Sequence, residues 1–200
     1  IVREHASGET RVLEIVDDCR RLLDGLRQEV TAAPDARARL RRVLGAVVGR
    51  DNVHFDPFTR VAHATDATDW RLHLPLAVVT PTAEPQVAPL LTAIRSLGLH
   101  ALPRGAGTGL SGGAMPHTQG VVLGLSKMKR ILGIDHVDRS GRVQRGVRNL
   151  AISESVAPFG LYSAPDPSSQ IACTIGGNVA ENSGGVHCLK YGLTTNNVIG

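Results

Sequence analysis

Between Leu76 and Leu125 short apolar runs alternate with turn formers in an order that few folds accommodate. LAVVTP (76–81) reads as a short buried strand, and Thr82 can cap a helix carrying Val87, Leu90, Leu91, Ile94 and Leu97, which Gly98 stops. LHAL (99–102) reads as a second strand. Strand, helix, strand at these lengths specifies a βαβ unit, and with it a parallel sheet. Pro89 falls inside the expected helix, where it removes a hydrogen bond, so a kink or a late helix start is expected there. The unit runs directly into PRGAGTGLSGGA (103–114), where five of the nine residues from Gly105 to Gly113 are glycine, and GVVLGL (120–125) follows as another strand.

Glycine at that density costs backbone entropy, so the loop must need a bare backbone. Backbone N–H groups can turn inward around a phosphate there, in an anion-binding nest that side chains would block. A flexible linker fits poorly, because apolar strands frame the loop and Leu110 lies within it. Gly107 to Gly112 match GxGxxG, and Asp135 ends a later strand, as in a dinucleotide-binding Rossmann unit. That fingerprint must open a helix, however, and GGAMPHTQG before the next strand leaves no room for one. A P-loop fails too, since no GK[ST] follows and Lys127 sits in SKMK. What remains is a phosphate loop between two strands, with Arg104 as a possible charge partner. A second loop, Thr174-Ile175-Gly176-Gly177-Asn178, with Gly184 and Gly185 soon after, could close on the same ligand. Two cradles suit a long, doubly phosphorylated ligand better than a mononucleotide.

Elsewhere the pattern is plainer. Val12 to Val30 and Arg37 to Val48 carry the apolar spacing of two amphipathic helices, with Gly49 as a stop for the second. ILGID (131–135) and RVQRGV (142–147) read as strands about a DRSG turn, and NLAISESVAPFG (149–160) as a helix stopped by Pro158 and Gly160. Asp51 to Leu74 is polar. His54, His63 and His73 with Asp56, Asp66 and Asp69 could suggest a metal, but no HxxxH pair occurs, so these read as solvated loop residues and no metal is expected. The net charge of +4 and the arginines Arg3, Arg11, Arg20, Arg21, Arg27, Arg37, Arg39 and Arg41 alternate with acids and lack interleaved aromatics, which argues against nucleic acid. Cys19, Cys173 and Cys188 form no CxxC, which predicts a reducing, cytoplasmic setting. No apolar run approaches the roughly 18 residues of a transmembrane segment. The N-terminus lacks an initiator Met, and NNVIG stops as an apolar run begins, so the chain reads as an excised piece.

PRGAGTGLSGGA, then VVLGLSKMKRIL, then NLAISESVAPFGLYSAPDPSSQIACTIGGNVAENSGGVHCLKYGLT closely resemble the FAD-binding domain of the glycolate oxidase FAD-subunit family. Its relatives are the FAD-linked D-lactate and D-2-hydroxyglutarate dehydrogenases of the vanillyl-alcohol oxidase superfamily. The resemblance is dense from about Leu76 to Gly200. DPFTRVAHATDATDW (56–70) is more similar to a large flavin dehydrogenase of that superfamily with fused iron–sulfur modules, and the first fifty residues match no nameable family. The resemblance implies an α+β fold, a PCMH-type FAD-binding domain of two α/β subdomains. That domain would span 51–200, its first subdomain about 72–130 and its second from about 131, truncated at the C-terminus and preceded by an N-terminal helical segment, 1–50. It places Arg104, Gly105, Ala106, Gly107, Thr108, Gly109 and Ser111 on the pyrophosphate loop. Pro165, Asp166, Thr174, Gly176, Gly177, Asn178, Ala180, Asn182, Gly185 and His187 fall on a second FAD-lining stretch, which ends at Tyr191 and Gly192.

Covalent members carry a flavin-linked His in the first loop; Thr108 and its neighbours offer none, so the resemblance implies non-covalent FAD. Two positions depart from the family pattern, Arg145 where Pro is common and Pro89 in a helix that is usually unbroken. The implied reaction is oxidation of a small 2-hydroxy acid such as glycolate or D-lactate, the C2 hydride passing to flavin N5. A separate acceptor, a quinone, an iron–sulfur subunit or an electron carrier, would reoxidise the flavin. Substrate arginines, metal-binding histidines and the general base lie in relatives beyond the region matched by residue 200, so no catalytic residue is assigned here. Two alternatives stay open. One is an NADPH-dependent UDP-N-acetylenolpyruvoylglucosamine reductase-type flavoprotein, and the other is an FAD-binding fragment without activity of its own. The expected setting is cytoplasmic, with peripheral attachment at the inner membrane face as a variant.

Overall fold

The structure, a computed structural model, describes residues 10–68, 72–118 and 120–200. Arg3 with the rest of the first nine residues, Asp69, Trp70 and Gln119 lie outside the described residues, as do the side chains of Leu26 and Val30. The chain divides into two compact units, one ending at Arg42 and the other spanning Val43–Gly200.

The periodicity predicts two N-terminal helices; the structure has one, α1, Thr10–Val48, with Pro34 inside it. TAAPDA between the expected pair is rich in alanine, the best helix former, and Pro34 takes away a single N–H donor, so the helix continues through it. Along the exposed face Arg20 pairs with Asp17 at 3.8 Å and Arg27 with Asp24 at 3.5 Å, one turn apart, and Arg21 pairs with Asp18. Each such exposed pair contributes a few tenths of a kcal/mol at most. The helix ends where expected: Gly49 has φ 86° and its N–H bonds the Gly45 carbonyl at 2.9 Å.

The second unit is built on a four-stranded sheet of β1 (Val53–His54), β2 (Ala77–Val79), β3 (Ala101–Arg104) and β4 (Val121–Gly124), in the order β1-β2-β4-β3. β2 and β3 both run parallel to β4, and β1 pairs antiparallel with β2. Ala77, Val78, Val79, Val121 and Val122 are fully buried, which is why these strands read as unbroken apolar runs rather than alternating ones. Helix α3 (Val87–Ser96) crosses from β2 to β3, burying Leu90 and Ile94. A 3₁₀ turn at Glu84–Gln86 precedes α3, so the helix starts late and Pro89 sits in its first turn, where an N–H has no partner to lose. Gly98, at φ 71°, stops the helix as expected. Thr82 does not cap it; the Gln86 side chain instead accepts from the Thr82 and Ala83 N–H groups at 2.8 and 3.2 Å.

The polar segment from Asp51 is not a solvated loop. It supplies β1 and a short helix α2 (Pro57–Ala62), capped by Asp56, whose side chain accepts from the Thr59 N–H at 2.8 Å. His54 Nε2 lies 3.3 Å from Thr80 Oγ1, and His63 Nδ1 is 2.8 Å from the Thr59 carbonyl oxygen, so both rings have structural partners. Beyond β4, strands β5 (Ile131–Asp135) and β6 (Ser140–Val143) form a separate antiparallel hairpin. β6 ends before the expected RVQRGV does, although Gln144 and Gly146 continue the antiparallel pairing by bonding the Arg130 and Met128 carbonyls. Helix α4 (Asn149–Val156) and the 3₁₀ turn Ala157–Phe159 end at Gly160, at φ 69°, as expected. Helices α5 (Ile175–Glu181) and α6 (Cys188–Tyr191) complete the unit.

Candidate functional site

β2, β3 and β4 present their carboxyl ends along one edge of the sheet, which is where open α/β sheets bind ligands. The glycine loop leaves β3 there. Because β4 lies parallel to β3, the chain from Gly105 must return across the sheet before β4 begins, and no helix forms among the described residues of this connection, as the failed Rossmann context requires. Among the described residues, none accepts a hydrogen bond from the backbone N–H groups of Ala106, Gly107, Thr108 or Gly109. Four consecutive free donors on a half-buried turn make a nest in the physical sense. Gly107 is at φ 72°, a conformation that needs glycine.

Arg104 is not a side chain reaching outward for a phosphate. It is 7% exposed, its Nη1 donates to the Ala114 carbonyl at 2.8 Å, and its guanidinium fills the space where a Cβ on Gly107 would sit. Burial lowers the Arg104 pKa and Asp66 opposes that shift, so a positive charge lies beneath the loop. Asp66 partly neutralises it, and Glu181 Oε1 stands 3.8 Å from where a Cβ on Gly109 would be. With Asp66 beside the guanidinium and Glu181 near Gly109, side-chain charge is not what would draw an anion to this loop, and the backbone donors are left to do so.

Asp66 is 8% exposed, contrary to the solvated-loop expectation. Its Oδ1 accepts from the Thr68 N–H at 2.9 Å and its Oδ2 from the Ala114 N–H at 3.2 Å. Burial pushes the Asp66 carboxyl up, but the Thr68 and Ala114 hydrogen bonds and the Arg104 charge outweigh it and hold it below the usual carboxylate range. Thr68 Oγ1 accepts from the Gly112 N–H at 2.7 Å. Sequence reading missed both residues, although Asp and Thr two apart are a familiar backbone-binding turn.

TIGGN is not a second loop. Thr174 is the N-cap of α5, the Ile175 and Gly176 N–H groups bond the Val147 and Arg145 carbonyls at 2.9 Å each, and Asn178 lies on the helix. Tertiary hydrogen bonds override the poor helix propensity of the glycine pair. Gly176 is bare for another reason: a Cβ there would lie 3.0 Å from both Cβ and O of Arg145. Gly185 likewise has the Asp166 backbone where its Cβ would be. Asn178 is 3% exposed and faces inward, its Oδ1 accepting from Asn149 Nδ2 at 3.0 Å and its Nδ2 lying 3.3 Å from Cys173 Sγ. Asn149 Nδ2 also donates to the Pro165 carbonyl at 2.8 Å, so one fully buried amide ties α4, α5 and the 165 segment together.

Of the residues singled out, the fold brings Gly105 against Thr174, whose Oγ1 occupies the space of a Cβ on that glycine. It also brings Asp166 to His187, with Nδ1 to Oδ2 at 2.6 Å. Tyr162 stands over this pair, 5.3 Å from the His187 ring and 6.2 Å edge-on to Tyr191. Ser111 and Ala180 are exposed. Asn182 ends α5 at φ 48° with its Oδ1 spent on the Thr195 N–H at 3.0 Å. Among the described residues no group of three or more His, Cys, Asp or Glu could hold a metal ion.

The family model described as FAD binding domain matches residues 75–200, more than half of the chain. The chain belongs to this FAD-binding family. Its fold is α+β, and FAD is the family's cofactor. Over 125 residues, 62% of the chain, it is 61% identical to the glycolate oxidase subunit GlcD of Escherichia coli (strain K12). It is 40% identical over 154 residues to the subunit of the same name from Bacillus subtilis, and 38% identical over 120 residues to a D-lactate dehydrogenase of Anaerostipes hadrus. These matches cover 77% and 60% of the chain. The FAD-binding chain spans only 25%, 33% and 25% of those three relatives. Among solved structures, an alkyldihydroxyacetonephosphate synthase superposes with TM-score 0.70 at 22% identity, covering 78% of this chain and 34% of that one. A p-cresol methylhydroxylase superposes with TM-score 0.62 at 22% identity, covering 73% and 29%. Both share the fold.

Proposed function

We propose that the chain is the FAD-binding part of a FAD-linked dehydrogenase or oxidase acting on a small 2-hydroxy acid such as glycolate or D-lactate. The observation that carries this reading is the run of free N–H groups from Ala106 to Gly109, on a strand-end loop in a chain 61% identical to a glycolate oxidase subunit. The loop fits a diphosphate in chemistry as well as position: its donors from Ala106 to Gly109 are unspent, and the buried Arg104 lies beneath it. Gly105, Ala106, Gly107, Thr108, Gly109 and Ser111 then hold the pyrophosphate, with Arg104 supporting the loop from beneath. Pro165, Asp166, Thr174, Gly176, Gly177, Ala180, Asn182, Gly185 and His187 form the facing wall, which Asn178 supports from behind.

FAD, when bound, supplies hydride acceptance at N5, by which the 2-hydroxy acid becomes a 2-oxo acid. This chain's residues bind and orient it. No imidazole lies within Gly105–Gly109, which supports dissociable rather than covalent FAD. Asp166 fixes the His187 ring through the 2.6 Å contact, leaving Nε2 free to donate or accept. The electrons leave to a separate acceptor, and the match to a protein named as a subunit supports a partner chain for that step. Three free thiols, Cys19, Cys173 and Cys188, fit a reducing cytoplasmic setting. Among the described residues no helix is long and apolar enough to cross a membrane.

The test is the visible spectrum of the full-length protein. Oxidised flavin bands that bleach anaerobically on adding glycolate or D-lactate are expected, with the flavin released by acid precipitation. Absent bands, a flavin that stays with the precipitated protein, or bleaching by NADPH alone would refute the reading.

A further inference from the structure

We propose that Asp66 and Thr68 are positioning residues for the cofactor loop, a clamp supplied by a segment that precedes the FAD-binding match at residue 75. This rests on the reading that Ala106–Gly109 bind the pyrophosphate. A parallel β3–β4 connection ordinarily carries a helix whose own ladder holds it in place. The described residues of this connection, 105–118, form no helix, and it must nonetheless keep Gly107 and Gly112 in left-handed conformations at φ 72° and 75°. Four anchors do this. Gly112 N–H donates to Thr68 Oγ1 at 2.7 Å, across 44 residues of sequence, and Ala114 N–H donates to Asp66 Oδ2 at 3.2 Å, across 48. Asp66 Oδ1 holds Thr68 itself through its N–H at 2.9 Å, and Arg104 grips the Ala114 carbonyl at 2.8 Å. Both backbone groups of Ala114 are thus held by opposite charges that are 8% and 7% exposed.

The four anchors act at Gly112 and Ala114, Thr68 Oγ1 also reaches the Gly109 carbonyl at 3.5 Å, and none is made to the N–H groups of Ala106–Gly109. The clamp therefore fixes the shape of the nest without consuming its donors. A loop ordered before the ligand arrives loses less entropy on binding, so the clamp acts on affinity rather than on the fold alone.

FAD titration of the flavin-free full-length protein, followed by quenching of flavin fluorescence, tests this in Thr68→Val, Thr68→Ser and Asp66→Asn. It is read where each apoprotein keeps the wild-type circular dichroism spectrum. Thr68→Val is isosteric and lacks the acceptor, so FAD should bind roughly five- to tenfold more weakly, as for loss of one hydrogen bond. Thr68→Ser should restore binding to within threefold of wild type, and Asp66→Asn should weaken it at least threefold. If Thr68→Val and Asp66→Asn both bind within threefold of wild type, or if Ser binds as weakly as Val, the clamp is overturned. Should Thr68→Val not fold, Asp66→Asn decides by the same threshold. Wild-type apoprotein that takes up no FAD refutes the underlying reading, and the clamp with it.

Discussion

Replacing Gly107 by alanine should weaken FAD binding by about two orders of magnitude while leaving the sheet intact. Two costs add. At φ 72° an alanine Cβ meets its own backbone, a strain of about 1–2 kcal/mol. The same Cβ would overlap Arg104 Nη2 and stand 2.5 Å from Cζ and 3.1 Å from Nε, so the guanidinium must move and give up the Ala114 carbonyl. A hydrogen bond from a charged donor contributes about 1.5 kcal/mol or more. Without FAD the loop can relax and shed most of this; with FAD it cannot, so about 3 kcal/mol appears in affinity, roughly a hundredfold in Kd. Gly112→Ala is the matched control. Its φ is 75°, but no atom lies within 4 Å of the added Cβ, so only the strain remains and Kd should rise about tenfold or less. Titrating flavin-free full-length protein with FAD measures both. The reasoning fails if Gly107→Ala binds within threefold of wild type, or if the two variants lose affinity equally, since the collision with Arg104 would then have no weight.

Asn149→Ala should destabilise the protein by about 2 kcal/mol, because it removes the donor to the Pro165 carbonyl and leaves Asn178 Oδ1 with only the weak Cys173 thiol at 3.7 Å. Relief of the Asn149 Oδ1, itself buried without a partner, offsets only part of that. An unchanged urea midpoint would show that the amide is not a tie between α4 and α5. The Asp66 carboxyl is held below its usual value in the folded chain, so its contribution is present above the unfolded pKa of about 3.9 and is lost as pH falls through the lower folded value. FAD affinity should therefore hold from neutral pH down to about 4 and fall below it, and Asp66→Asn should flatten that acid limb. Equal acid limbs in wild type and Asp66→Asn would contradict it.

What the sequence reveals of this fold is what local chemistry decides. Gly98 and Gly160 stop their helices, and Pro89 delays α3, because each acts on its own backbone. Thr68 and Asp66 act 44 and 48 residues away, and neither apolar periodicity nor turn propensity carries that separation. Glycine is where the two kinds of information become confused. PRGAGTG and TIGGN look alike in composition, yet Gly107 is glycine for its φ as well as for the Arg104 guanidinium, whereas Gly105, Gly176 and Gly185 are glycine because Thr174 Oγ1, Arg145 and Asp166 occupy the place of a Cβ. The first stretch leaves four consecutive N–H groups unspent, whereas in the second the Ile175 and Gly176 donors are bonded to Val147 and Arg145 and the Asn178 donor to Thr174. Two phosphate cradles are therefore one cradle and one wall. On the proposed reading the diphosphate rests on Ala106–Gly109 and α5 only lines the ligand, so substitutions at Gly176 should act through packing against Arg145, and those at Gly107 through the ligand.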